Sequence, residues 1–264
     1  MKSTEIIREA VELTLITAMV EGEQPGSLMI TAEVEEGKTH LVSQYMLAPG
    51  VAYLADATAF GIVDEYLTEI RSGKIRHFIF PELIRPLERQ KETAASFVAF
   101  LGELIEEGIK EIQTFNTRFR LPAPIKAGVI ACIAKGSFGY RIQHWNITGF
   151  LSRFLVVSYS YSDETAEQVR STIMEGVPSE PRNFILPEQQ KVHVPEEIAR
   201  GLATLAIGLA KGLYPPLHGF RMQKHLQRLA MASALRDGRD SVNKDDFVKI
   251  YDISRYVNLD YMPL

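Results

Sequence analysis

Short apolar runs alternate with longer amphipathic segments through the first two thirds of the chain. Five runs have the length of buried strands, at 28–31, 51–57, 75–80, 127–134 and 153–160. Apolar residues recur at helical spacing in the segments 38–47, 61–72 and 86–113. Strands that alternate with helices are typical of a parallel sheet covered on both faces. We therefore predict an α/β fold, with a five-stranded parallel sheet in a three-layer αβα core.

The two ends of the chain follow a helical pattern. Residues 3–20 form a predicted amphipathic helix, and further helices are predicted at 195–212, 218–236 and 244–257. Asn243 suits the N-cap of the last helix, because acidic residues follow it in the first turn. Residues 176–195 hold four prolines and no clear period, which indicates a linker. We predict a core over 1–180, including the helix 3–20, and a small helical lid over 181–264.

Composition narrows the classes of function. The chain has 264 residues and a net charge of −4, so the whole chain gives no electrostatic case for nucleic-acid binding and leaves only a local basic patch. Cys132 is the single cysteine and lies in an apolar run, which predicts a buried, reduced thiol. The glutamates of segment 3–20 argue against a signal peptide. The apolar segment 198–213 is short and interrupted by charges. We expect a cytoplasmic protein with no membrane partner.

The segment AEVEEGKT at 32–39 is typical of a phosphate-binding loop between a strand and a helix. It fits the pattern [AG]xxxxGK[ST], with Ala32 in the first position and Gly37 where the backbone must approach a phosphate closely. Lys38 would reach the β- and γ-phosphates of ATP, and the Thr39 hydroxyl would bind Mg²⁺. We include the next residue, His40, among the nucleotide-binding candidates. The alternative is a charged surface turn, and the three glutamates of the loop predict weak nucleotide affinity.

A strand-end acid is the second candidate. Glu82 follows the apolar run 75–80, where a carboxylate could polarise an attacking water. The preceding position, where a metal-binding acid would be expected, is Pro81. A proline is tolerated at a strand end but cannot bind a cation. The alternative is an exposed acid in a turn.

Two arginines complete the candidate site. Arg153 lies directly before a predicted strand, where it could contact the γ-phosphate bound by a neighbouring subunit. Arg221 lies near the start of a predicted lid helix, and Arg228 lies two turns further on the same face. The alternatives are a salt-bridged structural arginine at 153 and a solvated basic face on the helix.

Taken in order along the chain, these motifs resemble the AAA+ ATPases, and within them the minichromosome maintenance (MCM) helicase-like branch. The resemblance covers about residues 28–257, and its most specific segments are LSRF at 151–154 and 220–247. It implies a P-loop NTPase core followed by a helical lid, with ATP and Mg²⁺ as cofactors. It also implies the following roles: Lys38 and Thr39 as Walker A residues, Glu82 as the Walker B glutamate, Arg153 as the arginine finger and Arg221 as the sensor-2 arginine.

The chain departs from that family at three positions. Ala32 replaces the first Walker A glycine, and Pro81 replaces the Walker B aspartate. The sensor-1 position falls near Ala134, with Lys135 and Ser137 as the nearest polar substitutes. These departures keep two functional hypotheses open beside each other. The first is an oligomeric ATPase, assembled as a homo-oligomer or hetero-oligomer through Arg153, that remodels nucleic acid or a partner protein.

The second hypothesis is a degenerate AAA+ module that acts as a structural or regulatory subunit. It rests on Ala32, on Pro81 and on the loop glutamates. A third hypothesis is a helix-rich adaptor in which the motif matches are accidental, and a fold without the five-stranded parallel sheet would favour it.

Overall fold

A parallel sheet forms the centre of the molecule. The computed structural model describes residues 3–113, 118–176, 181–211 and 218–257. The strands within these ranges are β1 (Leu28–Ala32), β2 (Val51–Tyr53), β3 (His77–Phe80), β4 (Ile109–Gln113), β5 (Arg118–Ile125), β6 (Gly128–Ala134) and β7 (Leu155–Ser158). Five of them pair in parallel in the order β2-β3-β6-β1-β7. The predicted five-stranded parallel sheet is confirmed.

Helices account for most of the remaining described residues. They are α1 (Ser3–Ile16), α2 (Lys38–Ser43), α3 (Ala59–Arg71), α4 (Ile84–Leu87), α5 (Lys91–Ile105), α6 (Lys135–Ile147), α7 (Asp163–Met174), α8 (Glu196–Lys211), α9 (Phe220–Arg236) and α10 (Lys244–Ser254). Short 3₁₀ turns lie at Thr17–Met19 and Leu151–Arg153. Among the helices described, none combines the length and apolarity needed to cross a bilayer.

Helices cover both faces of the sheet. Successive residues of β1 point to opposite faces: Leu28 and Ile30 pack with apolar side chains of α1, α8, α9 and α10, whereas Met29 packs with those of α3, α5 and α6. Every residue of β1 is buried, as expected for a parallel strand covered on both faces. The chain is therefore a three-layer αβα core with an additional helical C-terminal part.

The C-terminal helices pack on one another and on the N-terminal helix. Helix α1 lies between β1 and the pair α9 and α10. Arg236 of α9 holds both carboxylate oxygens of Glu9 in α1, at 2.9 and 2.6 Å. Asn243 caps α10 in a capping box with Asp246, as its position predicts. Of the predicted linker, residues 177–180 lie outside the described residues, and 181–195 follow an irregular path with isolated bridges at Gln190 and His193.

The predicted helix over 86–113 is wrong in its second part. Helix α5 ends at Ile105, and the antiparallel pair β4 and β5 follows it. Gly108 has a φ of +84°, and its N–H donates to the carbonyl of Glu103 at 2.7 Å. A glycine in the left-handed region closes a helix end in this way, because no side chain opposes the conformation.

Candidate functional site

The segment 33–37 forms a tight loop between β1 and α2. Because β1 lies between β6 and β7, the loop leaves the carboxyl edge of the sheet beside the ends of two other strands. Gly37 has a φ of +70°, and a Cβ at this position would lie 2.1 Å from the hydroxyl of Tyr161. A side chain there would strain the backbone and displace the Tyr161 hydroxyl, so the position favours glycine. Open α/β sheets bind ligands at this edge, so the loop stands where a phosphate loop is expected.

Lys38 begins α2, and its side chain folds back across the loop. Its Nζ donates to the carbonyl of Ala32 at 2.9 Å and to the carbonyl of Glu33. Partial burial lowers the pKa of Lys38, and the opposing influence of Cys132 and Glu36 offsets this only in part. The ammonium therefore lies at the mouth of the loop, with hydrogen bonds to backbone carbonyls.

The carboxylate of Glu36 turns inward and accepts two backbone hydrogen bonds. Its Oε2 accepts from the N–H of Glu33 at 2.8 Å, and its Oε1 accepts from the N–H of Tyr161 at 2.9 Å. Glu33 and Glu35 are both exposed, and the charge of Glu33 also acts on Lys38. The three glutamates that look alike in the sequence thus have different surroundings.

Two tyrosines that follow β7 cover the loop. The hydroxyl of Tyr159 donates to the carbonyl of Glu36 at 2.6 Å, and the hydroxyl of Tyr161 packs against Gly37. Burial raises the pKa of Tyr159, so the phenol stays protonated and keeps its donor. Neither tyrosine belongs to the sequence motifs described above. Their position directly after a predicted strand could have identified them, because the carboxyl ends of neighbouring parallel strands meet at one edge of the sheet.

Lys135 adds a second cation beside the loop. It begins α6 directly after β6, and its Nζ lies 3.0 Å from the hydroxyl of Ser160. Its charge contributes to the lowered pKa of Lys38, so the two ammonium groups are close enough to interact. Ala134, at the expected sensor-1 position, ends β6, and Ser137 lies in the first turn of α6.

The other Walker A candidates lie on α2. Thr39 and His40 are exposed. The Nε2 of His40 lies 3.2 Å from the amide nitrogen of Gln44, one helical turn further on. The Thr39 hydroxyl is therefore accessible from solvent.

The strand-end acid predicted for the candidate site is engaged in an ion pair. Glu82 lies two residues after the end of β3, and its carboxylate pairs with Arg85 at 2.6 Å. Pro81 is buried. Within the described ranges, no group of three or more histidine, cysteine, aspartate or glutamate side chains could hold a metal ion.

Arg153 and Arg221 lie together at the opposite edge of the sheet. Arg153 ends the 3₁₀ turn before β7, and Arg221 donates to the Ser152 hydroxyl of the same turn at 2.6 Å. Both guanidinium groups pair with the same carboxylate oxygen, Oε2 of Glu106. The Nε atom of Arg153 lies 3.2 Å from it, and the Nη2 atom of Arg221 lies 2.5 Å from it. A four-residue strand spans about 13 Å, so neither arginine reaches the loop at 33–37 of its own chain.

A polar cavity of about 220 Å³ lies at the amino edge of the sheet, beside these two arginines. It is lined by Lys126, Lys224 and Arg228 as well as by the two arginines. Arg228 is buried and pairs with Glu23 at 2.9 Å. The cavity therefore carries an excess of positive charge.

Cys132 is buried in β6, as predicted. Burial raises the pKa of its thiol to about 12, and the neighbouring charge of Lys38 opposes this. A thiol of such high pKa stays protonated at neutral pH, so Cys132 does not act as a nucleophile.

Comparison with known proteins adds no family assignment. No protein-family model matches the sequence, and a search of curated proteins gives no significant match. The resemblance to the MCM-like branch of the AAA+ ATPases therefore stays a prediction that rests on the motifs and on the fold.

Proposed function

We propose that this chain is an AAA+-like module that binds ATP at the loop Ala32–Thr39. The observation that carries the proposal is the loop itself: it follows a buried central strand, has glycine in the left-handed region at position 37 and places Lys38 across its mouth. Backbone N–H groups in such loops bind phosphate oxygens, and Lys38 would contact the β- and γ-phosphates. Lys135 supports the proposal as a second cation at the same edge. Bound Mg²⁺ would be held by Thr39 and the phosphates and would screen their charge.

The same proposal includes assembly with further subunits. Arg153 and Arg221 lie at the amino edge, so any triphosphate they contact belongs to a neighbouring subunit. A head-to-tail arrangement would bring the amino edge of one subunit to the loop of the next. Arginines positioned in this way stabilise charge that develops during phosphoryl transfer. We also propose a cytoplasmic location, since the single cysteine is a buried thiol rather than part of a disulfide framework.

The partner remodelled by this assembly would be a nucleic acid or another protein. The basic segment 221–239 favours neither, because four of its five cationic side chains have internal partners, the first being Arg221 with Glu106. Arg228 pairs with Glu23, Arg236 with Glu9 and Arg239 with Asp246.

Calorimetric titration with ATP, with and without Mg²⁺, tests the binding proposal. We expect Lys38→Ala to weaken ATP binding roughly 10- to 100-fold, the effect of removing a charged hydrogen bond. Lys74→Ala is the matched control, because Lys74 is exposed and lies outside the loop. Equal ATP affinity in wild type and Lys38→Ala would refute binding at this loop. A mass measurement under the same conditions tests nucleotide-dependent assembly.

A second candidate function is a structural or regulatory subunit that does not hydrolyse ATP. The ion pair between Glu82 and Arg85 favours it, since it engages the only acid predicted to polarise water. The buried Pro81 favours it as well. Loss of a metal-binding carboxylate removes charge stabilisation of several kcal/mol and therefore lowers the rate by orders of magnitude. Mg²⁺-dependent phosphate release by wild type that Glu82→Gln abolishes would exclude this candidate.

A further inference from the structure

Glu36 supplies an anion to the loop from within the chain. We infer that its carboxylate competes with phosphate: it holds two backbone donors at the loop and must leave them when a nucleotide binds. This inference rests on the proposed function, because it concerns the affinity of the same loop. It gives one of the three loop glutamates a specific role.

The contacts of Glu36 are those of a bound anion. Each carboxylate oxygen accepts one backbone N–H, from Glu33 at the start of the loop and from Tyr161 after β7. One donor lies three residues before Glu36 and the other 125 residues after it, so the carboxylate joins two distant segments of the chain. Backbone N–H groups arranged around a loop bind carboxylate and phosphate oxygens alike. Charged acceptors make stronger hydrogen bonds than neutral ones, so the internal carboxylate is an effective competitor.

Lys38 is also engaged within the loop. Its Nζ donates to the carbonyls of Ala32 and Glu33, and the charge of Glu36 acts on it from nearby. A phosphate that enters must therefore displace the Glu36 carboxylate and redirect the Lys38 ammonium. Both groups contribute to the stability of the loop in the absence of nucleotide.

The backbone around Glu36 is fixed independently of its carboxylate. Tyr159 donates to the carbonyl of Glu36 at 2.6 Å, and Gly37 packs against Tyr161. The Glu36 side chain can therefore rotate outward while the main chain of the loop keeps its path. For this reason we expect Glu36→Ala to retain the loop and to free the two N–H groups.

Glu35 provides the matched control. Like Glu36 it carries one negative charge in the loop, but its side chain is exposed and has no hydrogen bond or ion pair among the described residues. Its φ is +68°, a conformation that alanine tolerates about as poorly as glutamate does. Glu35→Ala therefore removes the same charge without freeing a donor.

The experiment compares wild type, Glu36→Ala, Glu35→Ala and the double variant Glu36→Ala with Lys38→Ala. Each is titrated calorimetrically with inorganic pyrophosphate and with ATP in Mg²⁺. We expect Glu36→Ala to bind both at least tenfold more tightly than wild type does. Glu35→Ala should gain less than threefold, since screening reduces the effect of an exposed charge. The double variant should lose the gain.

Amide hydrogen exchange without nucleotide gives an independent readout. The N–H groups of Glu33 and Tyr161 should be protected in wild type and in Glu35→Ala, and should exchange faster in Glu36→Ala. Equal affinity of wild type and Glu36→Ala, or unchanged exchange at both amides, overturns the inference and leaves ATP binding in place. If no variant binds pyrophosphate or ATP, the inference and the proposed function both fail.

Discussion

Acidification from pH 7.5 to pH 5 should destabilise this protein through two buried histidines. His225 on α9 is 7% exposed, and its Nε2 lies 3.2 Å from the carbonyl of Ser152. Burial lowers its pKa to about 4 against the effect of that hydrogen bond, and the charges of Arg228 and the neighbouring basic residues of α9 act in the same direction as burial. The folded state therefore holds His225 neutral.

His77 has the same property on another element. It begins β3, is 2% exposed and is enclosed by the backbone of Gly26 and Gly128. Burial lowers its pKa to about 4, with only partial opposition from hydrogen bonding to Gly26. Its ring is therefore neutral in the folded protein as well.

The sign and size of the effect follow from proton linkage. A histidine in the unfolded chain has a pKa of about 6.5, so the unfolded state binds more protons between pH 6.5 and pH 4. The stability that each neutral histidine contributes is complete above about pH 6.5 and is lost as the pH falls towards 4. At pH 5 the loss is about 2 kcal/mol for each histidine, given a folded pKa of about 4. Two such losses are a large part of an ordinary stability of about 5–15 kcal/mol.

Urea unfolding followed by circular dichroism at pH 7.5, 6 and 5 measures this loss. The range avoids most carboxylate titration, because carboxyl groups with lowered pKa lose their contribution only below about pH 4 to 5. His225→Gln should remove about half of the pH dependence, and His144→Gln, which alters an exposed histidine, should leave it unchanged. A free energy of unfolding that stays constant from pH 7.5 to pH 5 would refute the reasoning.

Two further predictions concern stability, each checked by urea unfolding at neutral pH. Asp246→Ala should cost about 3–5 kcal/mol, because the fully buried carboxylate is the acceptor for Arg239, the Ser233 hydroxyl and the Asn243 N–H. Among the described residues, Arg239 would keep only Asp237 as an acidic partner. Asp245→Ala on the same helix turn is exposed and should cost less than about 1 kcal/mol. Gly128→Ala should cost about 1–3 kcal/mol or more, because its Cβ would lie 2.3 Å from a backbone oxygen. Gly136→Ala meets nothing within 4 Å and should be neutral or stabilising.

The sequence was sufficient to predict the central part of the fold. Apolar runs of strand length define β1, β6 and β7, because strands buried on both faces must be apolar throughout. The position of the loop followed from the same pattern, since Gly37 and Lys38 come directly after β1. These features depend on residues close together in the chain.

The hairpin of β4 and β5 was not predictable by the same means. The apolar residues of 97–105 continue into 109–112 without a strong change of composition, so helical spacing extended the predicted helix too far. The signal against it was Gly108, which ends α5 in the left-handed region. A single glycine at a helical position is weak evidence in sequence, because it reduces helix stability by only about 1 kcal/mol.

The ion-pair partners of the arginines could not be predicted from the sequence pattern either. Arg221 pairs with Glu106, which is 115 residues away in the chain. Spacing along α9 showed that Arg221 and Arg228 share a face, but not which partners meet that face. The structure gives both arginines carboxylate partners, and it gives Arg221 a neighbour, Arg153, whose proposed role is to act on another subunit.

The loop glutamates illustrate why local sequence underdetermines a site. By charge alone Glu33, Glu35 and Glu36 are equivalent, and each opposes the approach of phosphate. Glu36 differs because a residue 125 positions later supplies the second N–H to its carboxylate. A loop that can bind phosphate exposes donors that are costly to leave unpaired wherever water is excluded. The Glu36 carboxylate satisfies those donors when no nucleotide is present, so the charge that weakens phosphate binding also keeps the donors paired until a phosphate replaces it.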